Sequence, residues 1–140
     1  MTKILIMGLP GSGKTWFASR LQKHLDCAWY NADKIRKMAN DWDFSDVGRR
    51  RQAERMNTIA SFEAVRGRTV ICDFICPTAE TRKEFDADII IWMNTIEAGR
   101  FEDTNKIFEE PIDFDYIVEE FLSDEQIQYR AQMMKETFNV

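Results

Sequence analysis

Eight consecutive residues, Gly8-Leu9-Pro10-Gly11-Ser12-Gly13-Lys14-Thr15, carry the pattern GxxxxGKT. The apolar run Lys3-Ile4-Leu5-Ile6-Met7 precedes them directly, and an amphipathic stretch with Phe17, Leu21 and Leu25 follows. In a turn between a strand and a helix, glycines let the backbone approach an anion closely, and loop N–H groups point at phosphate oxygens. Lys14 would add a cation at the outer phosphates, and the Thr15 hydroxyl would reach Mg²⁺. The motif in this context predicts a triphosphate site, with ATP and Mg²⁺ as cofactors. Asp73 closes the β-branched run Thr69-Val70-Ile71-Cys72. A carboxylate at such a strand end supports Mg²⁺ through water, so Thr15 and Asp73 are the expected metal residues. Asp33, at another predicted strand end, is the second candidate partner.

The elements that must position these groups alternate. Buried-strand runs are predicted at 3–7, 69–72 and 88–93, with weaker ones at Trp29-Tyr30 and 114–118. Helical spacing covers 14 to about 26, a turn or two through Met38, 49–65, a stretch beginning at Thr78, and Ser123 to about Phe138. The segments 41–48 and 96–111 read as loop. Such alternation predicts an α/β fold, a mostly parallel sheet flanked by helices in three layers, with right-handed crossovers. With the loop motif, that is the three-layer P-loop NTPase fold.

The 140 residues suit one domain, 1–140. Lys and Arg number 19 against 24 Asp and Glu, a net charge of −5, which excludes a partner held by general basic charge: no nucleic acid and no anionic membrane are expected. Cys27, Cys72 and Cys76 are odd in number without a CxxC spacing, so neither a disulfide framework nor a zinc site is expected. Only four apolar residues separate Lys3 from Gly8, too few for a secretion signal, and no apolar run is long enough to span a bilayer. A cytoplasmic setting is expected, with a homodimer as the candidate assembly.

Hydrolysis alone is an improbable role for so short a chain, whereas a small kinase needs only the loop, an acceptor pocket and a lid. The pocket should lie beyond the C-terminal ends of the strands. Three segments would feed it: Asn31 to Arg36, Phe44 to Gln52, and Asp73 to Pro77. In that order, from about residue 4 to 111, they resemble the adenylylsulfate (APS) kinase family. Its loop is matched by Gly8–Thr15, its Asp-Gly-Asp-Asn-Val-Arg by Asn31-Ala32-Asp33-Lys34-Ile35-Arg36, its Phe-Ser by Phe44-Ser45, a helical Arg and Asn by Arg49 and Gln52, and its Phe-Ile-Ser-Pro by Phe74-Ile75-Cys76-Pro77. The chain departs from the family at Asn31, Gln52, Glu54, Asp73 and Cys76, and its lid region is short.

The resemblance implies phosphorylation of the 3′-hydroxyl of adenylyl sulfate. It makes Lys14, Asp33 and Lys106 catalytic, with Asp33 orienting the acceptor hydroxyl and Lys106 closing over the phosphates. Arg36 and Arg49 would grip the phosphosulfate with planar forks, beside Gln52. Phe44 and Phe74 would stack on adenine, and Ile75, Cys76 and Pro77 would shape the wall. Plainer roles stand beside these: Asp33 as a helix cap, Phe44 and Phe74 as core aromatics, Trp16, Trp29, Trp42 and Trp92 as core or pocket wall, Lys106 as a solvated charge, and two of Arg49-Arg50-Arg51 as solvent-paired charges. The departures keep two alternatives open, a P-loop kinase for another small acceptor (a nucleotide or a sugar acid) and a non-catalytic ATP-binding module.

Overall fold

The computed structural model describes residues 2–140. The elements run β1 (Thr2–Met7), α1 (Lys14–His24), β2 (Cys27–Asn31), α2 (Ala32–Ala39), α3 (Asp46–Ala64), β3 (Thr69–Asp73), α4 (Ala79–Phe85), β4 (Ile89–Met93), α5 (Glu102–Ile107), β5 (Tyr116–Val118) and α6 (Asp124–Phe138). The strands form one sheet in the order β2-β3-β1-β4-β5. Every pairing in it is parallel, so the "mostly parallel" expectation becomes fully parallel.

β1 lies at the centre and is apolar on both faces, which its unbroken run of hydrophobic residues requires. Successive side chains alternate. Ile4 and Ile6 pack with Phe17, Leu21, Ile127 and Met134 of α1 and α6. Leu5 and Met7 pack on the other face with Ala53, Met56, Ala60 and Phe85 of α3 and α4. Two helical layers thus enclose the sheet, and the strand ends are fixed from both sides. The three cysteines are free and buried. Among the described residues no helix is long and apolar enough to cross a membrane.

Capping chemistry sets the helix starts. Thr78 and Ser123 each close a capping box, with Thr81 and Gln126 respectively. α3 starts at Asp46 rather than Arg49, because the Ser45 side chain accepts from the Gly48 N–H at 3.2 Å. The cap of α2 is Asn31, whose side-chain oxygen accepts from Lys34 N–H at 3.0 Å; Asp33 sits inside the first turn, and its expected capping alternative falls away. The segment 96–111 is less irregular than expected, since it contains α5. The last strand is shorter than expected, 116–118, because Asp115 pairs with Ile90 through its side chain as well as its backbone.

One glycine marks where the fold is tightest. The loop 41–45 folds over the start of α3, and a methyl on Gly48 would overlap the Asp43 carbonyl and carboxyl groups. In a free helix, Gly→Ala stabilises by about 1 kcal/mol. Here Gly48→Ala is expected to reverse that sign and destabilise by about 1–3 kcal/mol through overpacking. A urea midpoint lower than the parent's at unchanged m-value is the expected reading; a raised midpoint would contradict this packing.

Candidate functional site

β1 delivers the chain into the glycine loop, and Gly13 ends it as the N-cap of α1 at φ 90°, a left-handed conformation that a side chain would strain. α1 opens directly at Lys14, with no side-chain hydrogen bond capping its N-terminus. The Lys14 Nζ donates to the Leu9 carbonyl at 3.0 Å, which folds the lysine back across its own loop. Burial lowers its pKa to about 8, although the charges of Asp73 and then Asp33 pull the other way. The site thus holds an ammonium short of compensating charge, the state that bound phosphate oxygens would satisfy.

At the adjoining strand ends a buried network forms around Asp73, which is 2% exposed. β3 pairs Asp73 with Asn31 on one side and with Ile6 on the other. The Asn31 amide donates to Asp73 Oδ1 at 3.1 Å and to Thr15 Oγ1 at 3.1 Å; the Thr15 hydroxyl donates to Asp73 Oδ1 at 3.3 Å. The Trp29 indole N–H donates to Oδ2 at 2.6 Å. Burial pushes the Asp73 carboxyl above its ordinary range, opposed first by the hydrogen bonds from Trp29 and Asn31. Among the described residues no group of three acidic, His or Cys side chains could cage a metal. One hydroxyl and one carboxylate, with water for the rest, fit Mg²⁺, which keeps several waters and takes few protein ligands. Trp29 was expected to be core or wall. Its position two residues before Asn31, on the same strand face, is the signal that it shares a partner with Asn31.

Beyond these strand ends opens a cavity of about 810 Å³. Pro10, Gly11, Gly13, Lys14 and Thr15 line it, as does Asp73. All nine acceptor-side candidates line the same cavity: Asp33, Arg36, Phe44, Arg49, Gln52, Phe74, Ile75, Cys76 and Pro77. Gly8, Leu9 and Ser12 lie outside its wall, with Leu9 and Ser12 buried. Lys106 is exposed on α5 and is not on the wall. The lid faces the cavity through Arg100, Phe101, Asp103 and Thr104 instead. Helical direction explains this: α5 turns Thr104 inward, to 5% exposure, and carries Lys106 to the outer side. Trp16 and Trp42, expected as core or pocket wall, lie on the wall, as does Arg100, which sequence reasoning did not single out.

The individual side chains are committed unequally. Arg36 Nη1 donates to the carbonyls of Asp41 and Asp43, at 2.9 and 3.2 Å, and its guanidinium lies 4.4 Å from the Phe44 ring centre. Gln52 is taken up by Ala32, to whose carbonyl it donates at 3.1 Å, and by Arg55, from which it accepts at 2.6 Å. Phe74 is 8% exposed and meets Phe85 edge-on at 5.4 Å. Cys76, at φ 46°, has its thiol pushed up to about 12 by burial and stays neutral. Of the three successive arginines, Arg50 pairs with Glu80 and Arg51 with Asp41 and Asp43, as expected of solvent-side charges. Arg49 faces the cavity. Its Nη2 lies 3.8 Å from Asp103, and its Nη1 is buried with no hydrogen-bond partner among the described residues.

A glycine loop between a central parallel strand and its helix, with a lysine, a hydroxyl and a strand-end aspartate converging on one cavity, defines a P-loop phosphotransferase fold. Residues 1–96 match the family model described as adenylylsulphate kinase, more than half of the sequence, and the chain belongs to that family. A comparison with curated protein sequences returns no match. Similar solved structures include the APS kinase of Mycobacterium tuberculosis in complex with AMPPNP and APS, at TM-score 0.76 and 18% identity over 99% of this chain and 98% of that one. A sugar kinase from Janibacter sp. is similar at TM-score 0.73 and 16% identity, covering 97% and 95%. Shikimate kinase from Aquifex aeolicus matches at TM-score 0.68 and 16% identity, covering 98% of both chains. At such identities these structures share the fold.

The Lys14 environment generates a prediction. The free protein holds this lysine at about 8 and an unfolded chain near 10.5, so this group makes the free protein more stable as pH rises between those values. Bound phosphate favours the charged form and raises the folded pKa. ATP binding at pH 9 is therefore expected to take up close to one proton, with affinity falling up to tenfold per pH unit above 8. Calorimetry in two buffers of different ionisation enthalpy measures the uptake, which Lys14→Met should remove. Binding at pH 9 without proton uptake would contradict the assigned environment.

Proposed function

We propose that this chain is an ATP-dependent kinase that transfers the γ-phosphoryl group of ATP to the 3′-hydroxyl of adenylyl sulfate, giving ADP and 3′-phosphoadenylyl sulfate, in the cytoplasm. The observation that carries the acceptor side is Arg49. Arg49 lines the cavity at the position that corresponds to an anion-binding arginine of the family, and its buried Nη1 has no partner among the described residues, which is costly.

Mg²⁺-bound ATP would supply the transferable phosphoryl group and charge neutralisation. Thr15 and Asp73 would hold the metal, Asp73 through water, while the loop N–H groups and Lys14 stabilise the phosphate oxygens. Asp33 lies on the cavity wall in the first turn of α2, where it would orient the acceptor hydroxyl and take its proton; a weak base suffices, because phosphoryl transfer is mostly positioning and charge stabilisation. Arg49 would bind the phosphosulfate with its guanidinium from the cavity wall. Arg36 contributes charge from the same wall, although its Nη1 is engaged with the loop carbonyls. In the lid, Arg100 takes the place first expected for Lys106.

A second reading, a kinase for a small sugar acid, is favoured by one feature. Asp103 places negative charge beside Arg49, which suits a singly charged acceptor better than a dianion. ATP-sensing without transfer is the third, and the acceptor-facing Asp33 speaks against it.

The test is APS-dependent ADP formation. Loss of one charge-assisted contact costs about 1.5–3 kcal/mol, so Arg49→Ala should weaken APS use roughly tenfold to a hundredfold while ATP affinity hardly changes. Arg49→Lys keeps the charge without the fork and should recover part of the loss. APS use equal to the parent's in Arg49→Ala would overturn the assignment.

A further inference from the structure

Trp42 is a large apolar side chain left half in water, 52% exposed, on the wall of the acceptor cavity. The hydrophobic effect acts against that placement, so the surrounding structure must hold it. A clamp on its two neighbours does so. The Arg36 Nη1 donates to the carbonyls of Asp41 and Asp43, the residues on either side. Arg51 donates to the Asp41 carboxylate at 2.8 and 3.0 Å and to that of Asp43 at 3.2 Å, and Arg55 adds a bond to Asp41 at 2.8 Å. Within the loop, Asp43 N–H donates to Asp41 Oδ1 at 3.2 Å and Ser45 N–H to Asp43 Oδ1 at 2.9 Å. The hydrogen bonds from Arg51 and Arg55 hold the Asp41 carboxyl below its ordinary range.

These bonds fix the chain on either side of Trp42. The two phenylalanines expected to stack are otherwise engaged. Phe74 turns edge-on into Phe85, and Phe44 carries Arg36 at 4.4 Å and Arg49 at 5.9 Å from its ring centre. Indole offers the broadest π-face of any side chain, and stacking tolerates any flat base.

We propose that Trp42 is the specificity-determining residue of this site, a fixed platform on which a flat heteroaromatic ring of the acceptor stacks while Arg49 takes its anion. This rests on the reading of the cavity as the site of an anionic acceptor. It selects a nucleotide-like acceptor over a ring-free sugar acid.

The experiment titrates APS, adenosine 5′-monophosphate and gluconate into protein saturated with ADP and Mg²⁺, so that the donor site is filled, and measures the APS KM in parallel. Trp42→Ala is expected to weaken APS binding roughly five- to hundredfold, the range of one lost base–aromatic stack. Trp42→Phe should restore most of it. Trp42→Leu, which keeps apolar bulk without a ring, should not. Arg51→Ala leaves the ring but unties the clamp, and should weaken APS binding by a smaller factor. ADP affinity unchanged across the set reports intact folding. Trp42→Ala binding APS as well as the parent does, or Trp42→Leu matching Trp42→Phe, overturns the platform and leaves the proposed reaction standing. Binding of adenosine 5′-monophosphate that depends on Trp42, in a protein that does not phosphorylate APS, supports the platform and removes the proposed reaction. Gluconate binding without binding of either nucleotide overturns both.

Discussion

The structure depends on one buried carboxylate. Asp73 ends β3 almost out of solvent, and burial makes a carboxylate there expensive unless its oxygens are satisfied. Its donors come from two separate segments, Trp29 and Asn31 of β2 and Thr15 at the start of α1. A hydrogen bond to a charged group contributes about 1.5–3 kcal/mol, so each donor matters. The glycine loop, β2 and β3 must therefore keep one register, and the same register carries both ends of the cavity. Asn31 links the two sides most directly, since one amide touches Thr15 and Asp73 while its oxygen caps α2, the helix that bears Asp33 and Arg36.

Electrostatics divides the cavity in the same way. The chain as a whole is acidic, yet Lys14, Arg36, Arg49 and Arg100 converge on this one wall. Lys14 and Arg49 are the under-compensated ones: the first has its pKa lowered by burial, the second keeps a buried nitrogen without a partner. Such groups raise the energy of the empty protein and favour whatever anion neutralises them, which is how binding free energy can be directed at chemistry. The neighbouring Asp103 tempers that field at the lid.

Much of this was legible in the sequence, for physical reasons that differ by element. β1 and β4 are continuous apolar runs because both faces of the sheet are covered, and Ser123 with Gln126 forms the capping box that the spacing announces. The acceptor-side candidates share one cavity because two of their segments follow the ends of β2 and β3 and the third leads into α3. The misses share a cause, which is tertiary contact that periodicity does not encode. α5 is only six residues long, and Asn105 ties it down by bonding both backbone groups of Gly99. That docking brings Arg100 to the wall and leaves Lys106 outside it. Trp29 reads as an ordinary apolar residue until β3 places a carboxylate opposite its N–H. Trp42 reads as loop until Arg36, Arg51 and Arg55 close around its neighbours.

The central claim is the identity of the acceptor, and tracing the label tests it most directly. The protein is incubated with Mg²⁺, γ-labelled ATP and, in separate reactions, APS, adenosine 5′-monophosphate, gluconate and shikimate, and the labelled product is located by position. The expected result is label on APS alone, at the 3′-oxygen, with an equal amount of ADP formed. Label on gluconate or shikimate with none on APS, or ADP released without any labelled acceptor, would contradict it.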